Sequence, residues 1–184
     1  QKYKTDEVLK SLTGLAYLEQ KEYDSAENYF LQAIQFDNNN SNSHSILGDC
    51  YSRMGKLDKA KKYYEISLKL NTKNKSALNG LAALNYFNGN TDEAERLYKY
   101  SIIHNEDNHD ARYSLAQCQL AKSNYIEGWK NFDSRWFSHS FNSAKLKSNL
   151  PKFKLNTENK NLLVWSEQGI GDQVLFLRFL KDID

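Results

Sequence analysis

Small, aromatic and polar residues recur along this chain at a fixed spacing of 34. In rows of that length, Gly14, Gly48, Ala82 and Ala116 share one column, and Ala26, Ala60 and Ala94 another. Phe30, Tyr64, Tyr98 and Phe132 form a third, Ala33, Ser67 and Ser101 a fourth, and Asp6, Asn40, Asn74 and Asn108 a polar fifth. Columns that stay in register this way identify a structural repeat. The Asx column closes each row where a helix must start, with a side-chain oxygen suited to accept from the orphan N–H groups of the first turn. Asp24, Asp58 and Asp92 sit a residue or two ahead of a second helical pattern, where negative charge meets the positive end of the helix dipole. Gly55 and Gly89 mark the turn between the two, which suits left-handed backbone. Each row therefore predicts two helices. The Gly and Ala columns let them approach while the aromatic four residues past the alanine fills the gap.

This pattern resembles the tetratricopeptide repeat, on Gly14, Tyr17, Ala26, Phe30 and Ala33 in the first row, Leu47, Gly48, Tyr51, Ala60, Tyr64 and Ser67 in the second, and Leu81, Ala82, Ala94, Tyr98 and Ser101 in the third. The resemblance covers residues 5–138 and implies an all-α solenoid, a right-handed superhelix of helical hairpins. Four repeats are expected, over about 7–40, 41–74, 75–108 and 109–138. The family's proline near the end of each repeat is replaced by Asn38, Thr72 and Glu106.

In such a superhelix the first helices line a concave groove, and helical spacing turns places 2, 5, 9 and 12 of each row toward it. Those places include Asn42, Ser45, Asp49, Asn79, Tyr86, Tyr113 and Gln117. The expected partner is a protein or peptide held by a polar, aromatic and nearly uncharged surface; a solvated face that binds nothing tightly is the alternative. The Lys and Asn pattern of a carboxylate clamp is absent. So is the asparagine ladder of the large sugar-transferring relatives, because the sixth places hold Leu12, Ile46, Gly80 and Ser114.

The fourth row, "NYIEGWKNFDSRW", departs from the others, with Gly128 in the alanine column and Arg135 where a small residue packs in earlier rows. An arginine does not fit such a contact. The row reads as a terminal cap with a polar outer face, or as an inter-domain docking face made by Trp129, Arg135 and Trp136.

Beyond it, residues 139–160 are rich in Ser, Asn and Lys, contain the single proline Pro151, and read as a linker. "NLLVW" then predicts a buried strand and "QVLFLRFL" a helix, joined by a turn with Gly169 and Gly171. This strand, turn and helix over 161–184 read as the start of an α/β Rossmann-like domain. Val174 stands where a dinucleotide fingerprint has its third glycine, and no Lys-Ser or Lys-Thr follows as in a Walker loop. The order of "GW...F.SRW", proline-bearing linker and "NLLVWSEQGIGDQVLFLRFL" resembles bacterial fusions of tetratricopeptide repeats to a heptosyltransferase-like glycosyltransferase (GT-B). That resemblance implies a nucleotide-sugar donor for the parent protein, Gly169 and Gly171 as the ligand-binding turn, and Asp172 as the general base. Asp172 read alone is an N-cap. One strand cannot build the crevice of a doubly wound domain, so residues 1–184 are expected to be a scaffold without turnover and without a cofactor of their own. A stand-alone adaptor is the other reading. An unpaired terminal strand would also offer an edge for self-association.

Composition narrows the classes further. A formal charge of +2 on 184 residues, with both signs interspersed, argues against a nucleic-acid partner. No apolar run reaches the ~18 residues of a membrane span, and a reducing cytoplasm is the expected location. Cys50 and Cys118 stand two repeats apart, too far for a disulfide, and read as packing residues. His44, His104, His109 and His139 show no metal-ligand spacing and are expected at the surface.

Overall fold

A computed structural model describes residues 2–141, with side chains from Asp6 onward. The strand and helix expected over 161–184, with Gly169, Gly171 and Asp172, lie outside the described residues, as do the linker from 142 onward and the strand edge invoked for self-association. Among the described residues there are eight α-helices and no strand.

The helices form in pairs: α1 (Lys2–Glu19) with α2 (Tyr23–Phe36), α3 (Ser41–Arg53) with α4 (Leu57–Leu70), α5 (Lys75–Phe87) with α6 (Thr91–His104), and α7 (His109–Ala121) with α8 (Tyr125–Phe132). A short 3₁₀ helix, Asp133–Phe137, follows α8. Three first helices start on the predicted caps. The Asn40 side chain accepts from Asn42 N at 2.9 Å, Asn74 from Ala77 N at 3.0 Å and Asn108 from Ala111 N at 3.2 Å. Asp6 is not a cap, because α1 begins at Lys2 and the residues ahead of Asp6 contain no helix breaker. Asp24, Asp58 and Asp92 are the second residues of α2, α4 and α6 rather than residues ahead of them. They still sit in the first turn, where the dipole favours a carboxylate.

The intra-pair turns are left-handed in all four repeats. Gly55 (φ +74°) and Gly89 (φ +81°) occupy two of them, and Lys21 (φ +63°) and Ser123 (φ +60°) the equivalent places in the first and last. A Cβ at Gly55 or Gly89 would meet nothing within 4 Å, so only backbone torsion favours glycine there.

The small-to-aromatic contact holds the pairs together. Ala26, Ala60 and Ala94 are fully buried, with Phe30, Tyr64 and Tyr98 buried beside them. A Cβ on Gly14 would stand 2.6 Å from Phe30 Cε1, and one on Gly48 2.6 Å from Tyr64 Cε1. Gly80, in the following repeat, faces the same ring: its Cβ would stand 2.6 Å from Tyr64 Cε1 and 2.7 Å from Cε2. Tyr64 is thus seated between glycines of two successive first helices, and this contact joins one hairpin to the next. Within the last hairpin Gly128 of α8 allows a close approach to α7, where a Cβ would stand 2.7 Å from Leu120 Cδ2. Cys50 and Cys118 are free and fully buried, and burial pushes both thiols up to about 11.

From repeat to repeat the first helices also touch directly, α3 with α5 and α5 with α7. They therefore lie on the inside of the solenoid's curve, and the second helices lie outside. No described helix is long and apolar enough to cross a membrane.

Candidate functional site

The inner face of α3, α5 and α7 is built around a carboxylate. Asp49 accepts from Tyr64 Oη through Oδ1 and from Ser76 Oγ through Oδ2, each at 2.8 Å. It is partly open to solvent, yet loss of hydration raises its pKa above the ordinary 3.8, outweighing the two hydrogen bonds and the Arg53 charge that lower it. Burial, joined by the neighbouring Asp49 charge and its hydrogen bond, pushes the Tyr64 hydroxyl up as well. The pair therefore keeps the proton on the phenol, which donates. Both oxygens of Asp49 retain lone pairs for a further donor.

Farther along the face, Tyr86 and Gln117 are exposed, and so are Ala83 and Phe87. Tyr98, the aromatic behind this stretch, is buried, which pushes its hydroxyl up to about 12. The exposed stretch presents ring and amide, with hydrogen-bonding groups at Ser76 near the start of the same helix α5 and at Asp49 on α3 of the preceding repeat.

Several expected groove residues serve the repeat junctions. Asn42 is exposed but accepts from Asn74 Nδ2 at 2.8 Å. Asn79 and Asn108 pair reciprocally, at 3.0 Å and 3.2 Å, and Asn79 also accepts from Ser101 Oγ at 2.9 Å. Glu7 plays this part at the first junction, accepting from Ser43 Oγ at 2.6 Å and Asn40 Nδ2 at 3.1 Å. Two expected residues do not line the groove at all. Ser45 is fully buried and donates to the Asn42 carbonyl at 2.9 Å, and Tyr113, 9% exposed, packs edge-on against Phe132 at 5.4 Å.

The three residues of the expected docking face differ in exposure. Trp129 is largely exposed, but Arg135 is 8% exposed and does fit the interior. Its guanidinium lies 4.6 Å from the Phe132 ring centroid and 4.4 Å from that of Trp136, and it donates to Phe132 O at 3.1 Å and Asp133 Oδ1 at 3.2 Å. A delocalised, weakly hydrated cation can stack between rings in this way. His44 is a further correction: it is buried, with Nε2 2.9 Å from Asn38 O and its ring stacked on Tyr63. Place-by-place reading missed Ser76, Ala83 and Phe87. Ser76 sits at a second place and Ala83 at a ninth, so helical spacing could have found both; Phe87 ends α5, one place beyond the pattern.

Two profiles described as Tetratricopeptide repeat match the chain, one over residues 17–84 and the other over 81–127. No curated protein matches it. Among solved structures, the first TPR of Spaghetti (RPAP3), bound to the HSP90 peptide SRMEEVD, is similar at 19% identity and a TM-score of 0.59, over 65% of this chain and 94% of that one. MamA is similar at 19% identity and a TM-score of 0.60, over 70% and 75%. YrrB, described as a TPR protein with an unusual peptide-binding site, is similar at 20% identity and a TM-score of 0.54, over 66% and 62%.

Proposed function

From the premise that this chain is a tetratricopeptide-repeat protein, we propose that the inner face of α3, α5 and α7 binds an extended polypeptide segment of a partner protein. The observation that carries the reading is the exposed run of Ala83, Tyr86 and Gln117 beside the hydrogen-bonding group of Asp49 and Ser76. An extended backbone offers N–H donors for Asp49 and apolar side chains for the Tyr86 ring. Peptides bound by similar solenoids, as in the Spaghetti complex, support this class of ligand. Recognition relies on backbone and side chains along the segment, not on a terminal carboxylate, because the inner face carries no cluster of lysines.

Selection of displayed peptides on the immobilised chain tests the proposal. Ala83→Arg places a long cation on the exposed inner face without touching the core, and Tyr86→Ala removes the ring. Enriched peptides are expected to lose at least tenfold in affinity for either variant. Equal affinity for wild type and both variants contradicts the reading.

A finer reading gives the bound protein a purpose, as the acceptor for sugar transfer by a C-terminal glycosyltransferase domain that begins within 161–184. What supports it is the order of residues over 125–183, with Gly169, Gly171 and Asp172 in the turn. On this reading a protein carrying that whole domain transfers sugar from a labelled nucleotide-sugar donor and loses the activity in Asp172→Asn. Undiminished transfer by that variant removes Asp172 from the role, and absence of transfer leaves the chain as a cytoplasmic adaptor.

A further inference from the structure

The charge on Asp49 is not required by the packing around it. The buried aromatics Phe30, Tyr64 and Tyr98 share one column of the repeat, and a member of that column needs a hydrogen-bond partner only where it carries a hydroxyl. Tyr98 finds a neutral one in Ser114, and Phe30 needs none. Of the three, only Tyr64 is given a carboxylate, Asp49 Oδ1 at 2.8 Å. Asp49 stands at the ninth place of its row, where the other rows hold Leu15, Ala83 and Gln117, so the charge is an addition to the repeat and not part of it.

Nor do its partners neutralise that charge. Both oxygens accept from neutral hydroxyls, Tyr64 Oη and Ser76 Oγ. The cation whose charge acts on Asp49 is Arg53, four residues on in α3, the spacing at which an acid and a base pair along a helix. Arg53 Nη1 donates instead to Glu19 Oε1 of the preceding repeat, at 3.1 Å. A polypeptide segment laid along the inner face removes the water that still reaches Asp49. A backbone N–H then supplies a hydrogen bond but no charge, and enclosing an ionised carboxylate among neutral donors alone is costly. A cationic side chain supplies both, and it meets two oxygens already oriented by Tyr64 and Ser76, each with a lone pair to spare.

We propose, resting on the inner-face reading of the function, that the bound segment carries a lysine or arginine whose charged head pairs with Asp49. Asp49 is then the residue that selects basic segments, while Ala83, Tyr86 and Gln117 hold the rest of the segment.

Random peptides displayed on phage and selected on the 184-residue chain supply the probe. Those whose binding falls with Ala83→Arg or Tyr86→Ala are inner-face ligands, and each is expected to hold a Lys or Arg at one fixed place. Replacing that residue of the peptide by Gln is expected to weaken binding to wild type by about tenfold or more. On Asp49→Asn the same replacement is expected to change binding by less than about twofold, because the amide keeps an acceptor for Tyr64 but has no charge to pair. Added salt is expected to weaken the basic peptide on wild type and to spare it on Asp49→Asn. Inner-face ligands with no basic residue overturn the proposal and leave the inner-face reading standing. So does an equal loss from the Gln replacement on wild type and on Asp49→Asn, the mark of a cation held by an acid elsewhere, such as the exposed Glu19. Failure to enrich any peptide, or peptides indifferent to both Ala83→Arg and Tyr86→Ala, removes the inner-face reading and the selectivity of Asp49 with it.

Discussion

Gly80→Ala isolates the contact that joins one repeat to the next. Helix propensity alone makes it favourable, since alanine in a helix interior is better than glycine by about 0.8–1 kcal/mol. Packing opposes it. The new Cβ would stand 2.6 Å from Tyr64 Cε1 and 2.7 Å from Cε2, about 1 Å inside ordinary carbon–carbon contact. The ring is already confined, because an ideal Cβ on Gly48 would also stand 2.6 Å from Cε1 and its hydroxyl is tied to Asp49 at 2.8 Å. Overpacking of this kind costs about 1–3 kcal/mol, so after the propensity gain the net expectation is a destabilisation of up to about 2 kcal/mol. For a chain of this length each kcal/mol moves Tm by roughly 2–4 °C. Thermal melts followed by far-UV circular dichroism read the shift, and the same substitution in a Tyr64→Leu background supplies the control. With the ring gone, Gly80→Ala is expected to be neutral or stabilising, so its effect changes sign with its neighbour. A Tm that rises for Gly80→Ala in the native background refutes the reasoning, because propensity would then win and the ring would have space.

Ala60→Leu, in the fully buried column, is expected to lower Tm through overpacking worth about 1–3 kcal/mol, and an unchanged melt contradicts the packing. Lys21→Gly and Ser123→Gly relieve side chains from left-handed backbone and are each expected to stabilise the fold by up to about 1 kcal/mol in urea titrations, whereas Gly55→Ala and Gly89→Ala lower the midpoint. Asp49 makes stability depend on pH: its folded pKa lies above the unfolded 3.8, so the native state holds the proton more tightly, and stability falls as pH rises from about 3.8 through the raised value. Asp49→Asn keeps an acceptor for Tyr64 without the charge and is therefore expected to melt higher than wild type at neutral pH. The gap should close under acid, and an equal gap at both pH values argues against the assignment.

Much of the fold was legible because it depends on spacing. A 34-residue register needs only residue size and polarity, and it located the buried alanines, the caps at Asn40, Asn74 and Asn108, and the turns at Gly55 and Gly89. Lys21 and Ser123 are not residue types that mark left-handed backbone; local helix-ending hydrogen bonds hold them there, Glu22 N to Tyr17 O and Asn124 N to Gln119 O, each at 2.9 Å. The groove was legible only in part, because a place on a helical wheel gives a direction and not a neighbour. Tyr113 faces inward but finds Phe132, and Asn79 faces inward but finds Asn108 a full repeat away. Arg135 was expected not to fit where small residues pack in earlier rows; it is buried, with its planar group against Phe132 and Trp136 as a stacking surface. Gly80 was visible only as one of four sixth places that hold no asparagine; its role as the seat of Tyr64 needs the three-dimensional junction.

Amide chemical-shift mapping of the ¹⁵N-labelled chain with a selected peptide addresses the inner-face account most directly. The largest perturbations are predicted at Asp49, Ser76, Ala83, Tyr86 and Gln117, on α3, α5 and α7. Perturbations confined to the outward faces of α4 and α6, with those five amides unmoved at saturation, would contradict it.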